Sequence, residues 1–95
     1  MNIFLSALNA MVPHFKVSGH KLLLSQEHPF IRTEVDLRLV AAHKIPGMTK
    51  LHLRLFRGRW EQYSLQGYRP QEISNLCALL SNWERENHRK HRISV

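Results

Sequence analysis

The chain of 95 residues is long enough for one small domain with a two-layer core and too short for a separate catalytic lobe. Its 43% hydrophobic and 22% charged residues, with only four Gly and four Pro, exclude a low-complexity or largely disordered chain. Fourteen Lys and Arg against seven Asp and Glu leave a formal charge of +7 and a pI near 10.4, which points to DNA or RNA, an acidic protein or an anionic membrane surface as partner.

The apolar start, Ile3 to Val12, lacks a preceding basic region and is too short to span a bilayer, so it is read as part of the fold. Within it Phe4, Leu5, Leu8 and Met11 recur at helical spacing and Pro13 blocks continuation, which predicts a short amphipathic helix within residues 1–12. Residues 14–18 and 21–25 then flank Gly19-His20, where glycine supplies the positive φ of a tight hairpin turn. Pairing Val17 with Leu22 and Phe15 with Leu24 puts all four on one face. After a polar break at residues 26–29, Ile31, Thr33, Val35, Leu37 and Leu39 alternate with Arg32, Glu34, Asp36 and Arg38, which predicts one strand with a buried and a solvated side. Residues 41–48 contain Pro46-Gly47, a turn signal.

Lys50 to Leu65 alternates basic and apolar residues around Arg57-Gly58-Arg59. Opposed residues of an antiparallel pair share a face, so only an odd loop lets Leu51 and Leu53 meet apolar partners. With Arg57 to Arg59 as the loop, Leu53 lies opposite Tyr63 and Leu51 opposite Leu65, while Lys50, His52, Arg54, Phe56, Trp60, Gln62 and Ser64 look outward. Pro70 opens the last element. Ile73, Leu76, Cys77, Leu80 and Trp83 form an apolar stripe, predicting a helix over residues 70–88 and a fraying basic tail over 89–95.

The predicted fold is therefore α+β: a single domain over residues 1–95, with an antiparallel four- to five-stranded meander over 14–66 and both helices packed on one of its faces. Lys50, Arg54, Arg57 and Arg59 are the expected phosphate contacts, with Trp60, and Phe56 beside it, available to stack on bases. Arg85, Arg89, Lys90 and Arg92 would add electrostatic attraction from the last helix. The function expected is that of a small nucleic-acid-binding regulator or accessory factor without catalysis. An interaction module for an acidic protein, dimeric through its open sheet, uses the same cations and is the alternative.

A ribonuclease of toxin type would draw on His52, Arg54, Glu61 and Tyr63, but strand parity sends the first two outward and the last two inward. Cys77 on an apolar stripe reads as a buried inert thiol, and as the only cysteine it permits no disulfide and no thiolate cage, in keeping with a cytoplasmic location. His88 and His91 lack a third ligand at a recognisable spacing, so neither metal nor cofactor is expected. His14, His20, His28 and His43 fall near predicted loops or strand ends, where solvation is expected.

Overall fold

The computed structural model describes residues 13–27 and 29–93, with the side chains of Arg92 and Ile93 excepted. The helix expected within residues 1–12 lies outside the described residues, as does His28. Six strands and one long helix follow Pro13: β1 (Phe15–Ser18), β2 (Lys21–Gln26), β3 (Ile31–Asp36), β4 (Val40–Lys44), β5 (Lys50–Leu55), β6 (Trp60–Ser64) and α1 (Pro70–Ile93). The protein is α+β, but the single meander is replaced by two three-stranded antiparallel sheets, ordered β1-β2-β3 and β4-β5-β6.

The first hairpin has the expected register, with Phe15 opposite Leu24 and Val17 opposite Leu22, and Gly19 takes a φ of 61° at its turn. The predicted long strand over residues 31–39 ends at Asp36. There the carboxylate accepts from the Arg38 backbone N–H at 2.9 Å and from its guanidinium at 2.8 Å and 3.0 Å, closing a 3-10 turn over Leu37–Leu39. An aspartate that offers the backbone a local acceptor competes with the strand ladder, and here it diverts the chain into the second sheet.

That sheet begins at Val40, in the stretch read from sequence only as the approach to a turn. A register shift between Val40 and Ala42 places Val40 and Ala41 both inside, so this strand has no clean alternation to read. The Pro46-Gly47 turn is present, with Gly47 at φ 61°.

The helix covers both sheets. Leu22, Leu24, Val35 and Leu37 from the first half meet Val40, Leu51, Leu53 and Leu65 from the second, under Ile73, Leu76 and Leu80 of α1. Asn87, 2% exposed, donates its amide to the carbonyls of Leu37 at 2.8 Å and Val40 at 2.9 Å, tying α1 to the crossing between the sheets. The residues expected to fray from 89 onward continue as helix to Ile93. His88 Nε2 lies 2.7 Å from the Ala41 carbonyl, and the His91 ring stacks on Phe56 at 3.9 Å, so tertiary contacts hold the last turns.

The start of α1 is anchored by Glu72. Arg69 accepts the first helical bond from the Ile73 N–H at 3.0 Å, and the Glu72 carboxylate accepts from the Arg69 N–H, also at 3.0 Å, which is one half of a capping box. The same carboxylate accepts from the His14 backbone N–H at 2.6 Å and lies 2.9 Å from its ring, while the other ring nitrogen is 3.0 Å from Glu27. His14 is thus a structural junction, not a solvated loop residue. Beside it the Tyr68 hydroxyl donates to the Ser25 carbonyl at 2.9 Å, and burial pushes this phenol up to about 12.

Candidate nucleic-acid interface

The β5–β6 register has Arg54 opposite Trp60, Leu53 opposite Glu61 and Leu51 opposite Tyr63. Parity is as expected, because Leu51 and Leu53 are buried and Trp60 is 44% exposed. The pairing itself is displaced by two residues from the expected Leu53–Tyr63 and Leu51–Leu65 match. The turn has moved toward Phe56-Arg57: the Gly58 N–H donates to the Leu55 carbonyl at 2.9 Å, and Arg57 adopts φ 66°. Phe56 is the physical reason. Instead of pointing out with Trp60, it packs against the His91 and His88 rings of α1, and its N–H donates to the Leu39 carbonyl at 2.9 Å.

The outer face of the second sheet therefore presents one aromatic among cations. Pairing across β4, β5 and β6 aligns Ala42, Arg54 and Trp60 in one row and Lys44, His52 and Gln62 in the next, with Lys50 beyond. The Lys44 ammonium sits 4.8 Å and the Arg54 guanidinium 5.8 Å from the Trp60 ring centroid, within the range of cation–π attraction. Lys44 belongs to this face although sequence reading passed over it, because β4 itself carried no legible pattern. Among the described residues no acid shares the face: Glu61 pairs with buried Leu53 on the opposite side. Among the described residues Lys44, Lys50, Arg54, Arg57 and Arg59 form no ion pair, whereas Arg38 and Arg89 do. Their charges are left to add into one field.

The cations of α1 form a separate surface. Arg85 and Arg89 lie two residues on either side of buried Asn87, about 200° around the helix from it, and both are exposed. They look away from the sheet. Arg89 is paired with Glu86, and its guanidinium holds the Glu86 carboxyl below its ordinary range. Lys90 is exposed on the same helix, and the side chain of Arg92 lies outside the described residues. Of the residues singled out from sequence, the fold thus brings Lys50, Arg54 and Trp60 onto one face and puts Arg57 and Arg59 at its turn. Arg85 and Arg89 fall on the far side of the molecule.

The ribonuclease set is divided as parity requires, with His52 and Arg54 on the outer face and Glu61 and Tyr63 on the inner parity. Burial, followed by the nearby Glu61 charge, raises the Tyr63 phenol. Among the described residues no group of three or more His, Cys, Asp or Glu is placed to hold a metal ion, and no helix is long and apolar enough to cross a membrane.

A second cluster lies on the inner side of β4. His43 points toward α1, where its Nδ1 meets the Glu84 carboxylate and its Nε2 lies 3.5 Å from Cys77 Sγ. The His43 side chain is only 9% exposed. Cys77, expected to be buried and inert, is exposed. The available sequence signal was the spacing of Cys77 and Glu84, two turns apart on one helix face, but nothing local linked them to His43.

Comparison with protein-family models, with curated proteins and with solved structures finds no match to the chain.

Proposed function

We propose that this protein binds single-stranded nucleic acid through the outer face of its second sheet, as an accessory or regulatory factor that does no chemistry on the nucleic acid it holds. The observation that carries the reading is exposed Trp60 with the Lys44 and Arg54 cations at its ring, on a face without a carboxylate among the described residues. An unpaired base offers a π-face to the indole, and the flanking cations reach the phosphates on either side. Lys50 extends the cationic row along β5, and Arg57 and Arg59 extend it past the turn. Arg85 and Arg89 would be reached only by a strand that wraps the molecule.

The test is the salt dependence of binding to short DNA and RNA oligonucleotides, followed by fluorescence anisotropy. For a single strand the log–log slope falls by about 0.7 for each phosphate that the protein no longer neutralises. Replacing Arg57 and Arg59 together should flatten it by about 1.4 if both touch phosphate. Failure to bind either nucleic acid at low salt, with an acidic protein bound instead through the same cations, would replace this reading with that of an interaction module.

A further inference from the structure

Cys77 and Glu84 are seven residues apart on α1, two turns and about 10 Å along one face. The imidazole of His43, projecting from β4, fills the space between them. Glu84 accepts from Nδ1–H, which leaves Nε2 as the acceptor directed at Sγ, 3.5 Å away. A carboxylate that fixes the tautomer, an imidazole that takes a proton, and a thiol in reach of it form the arrangement that activates a cysteine nucleophile. The imidazole is largely shielded from water while the sulfur is open to it. A reagent in solution can therefore reach Sγ without displacing His43.

We propose that Cys77 is a reactive thiol, activated by His43 and oriented through Glu84, whose substrate class is low-molecular-weight disulfides. Sγ–H passes its proton to His43 Nε2, and the sulfur attacks one sulfur of R–S–S–R. The old S–S bond breaks as the Cys77–S–S–R bond forms, and the departing thiolate takes up the proton to leave as R–SH. The disulfide is the oxidant, so no further reagent is needed. Cys77 is the only cysteine of the chain, so no second thiol resolves the product internally. The mixed disulfide persists until an external thiol removes it, as in a reversible modification site. The cluster lies on the helix side of the second sheet, and its chemistry does not depend on nucleic-acid binding.

The experiment mixes the protein with dithiodipyridine, a neutral chromophoric disulfide, and follows release of its thione at pH 7 and pH 10. An ordinary thiol is only a few per cent thiolate at neutral pH. A thiol that ionises more readily is also a weaker nucleophile, so the net gain at pH 7 is modest, about threefold. The wild type should react about threefold faster than His43→Gln at pH 7 and no faster at pH 10, with Glu84→Gln in between at pH 7 and one adduct per chain by mass. Circular dichroism establishes that each variant is folded. Should both variants unfold, the wild type alone decides: its rate should rise less between pH 7 and pH 10 than that of a free cysteine peptide. Equal rates at pH 7, a ratio unchanged by pH, or a wild-type rise matching the free peptide would each overturn the proposal.

Discussion

Replacing Glu72 with Gln tests the junction between the chain's beginning and its helix. Burial by itself would raise this carboxyl, but donation from the Arg69 and His14 backbone N–H groups and from the His14 ring outweighs it and holds the group down to about 2. Against an ordinary value of 4.5 the difference corresponds to about 3 kcal/mol of folding stability at neutral pH. The side chain is 11% exposed, so solvent screening takes little from that figure. Because the folded-state value is depressed, the stabilisation is full above about pH 5 to 6 and is lost as pH falls through 4.5 toward 2. Urea unfolding should therefore find Glu72→Gln less stable than wild type by about 2 to 3 kcal/mol at pH 7. The difference should shrink to about 0.4 kcal/mol near pH 2, where the wild-type carboxyl is half protonated, and vanish below that. A loss of the same size at both pH values would show that shape matters there and charge does not. A loss below about 0.5 kcal/mol at pH 7 would refute the linkage argument outright.

Asn87→Leu leaves the Leu37 and Val40 carbonyls without their buried donor. It should cost about 3 kcal/mol by chemical denaturation despite the apolar replacement. Two glycine variants should separate backbone strain from crowding. Gly19→Ala, at φ +61° with nothing near the new carbon, should lose about 1 kcal/mol, whereas Gly67→Ala, at φ +88°, must also push the Glu27 carboxylate off the His14 ring and should lose more. Arg57→Gly should remove left-handed strain at φ 66° and raise the denaturation midpoint slightly. The same change should flatten the salt slope of nucleic-acid binding by about 0.7 if the guanidinium touches phosphate.

What could be read in the sequence was what short-range physics decides. Gly19 required a turn, and the turn set the Phe15–Leu24 and Val17–Leu22 pairs. Period-two alternation put Leu51 and Leu53 inside and Trp60 outside. The misreadings occurred where a side chain or a distant element overruled the pattern. The alternation from Ile31 to Leu39 is unbroken in sequence, yet Asp36 takes the Arg38 N–H and ends the strand. Phe56 was assigned by parity to the outer face, but the rings of His88 and His91 draw it under α1 and shift the hairpin by two residues. The cationic face was thus half legible: its β5–β6 residues followed from alternation, and Lys44 joined only once β4 existed. The His43–Cys77 and His43–Glu84 contacts span 34 and 41 positions, so no local spacing could reveal them.

The central claim is that Trp60 stacks on bases while its neighbours hold phosphates. The chain has two tryptophans, so Trp83→Phe leaves Trp60 as the sole indole reporter. Its fluorescence should be quenched, saturably and at low salt, by an oligothymidylate. Inorganic polyphosphate should compete for the same face but leave the emission nearly unchanged, since it carries charge without a ring. No quenching by the oligonucleotide, or equal quenching by both polyanions, would contradict the account and leave a cationic face with no base-stacking role.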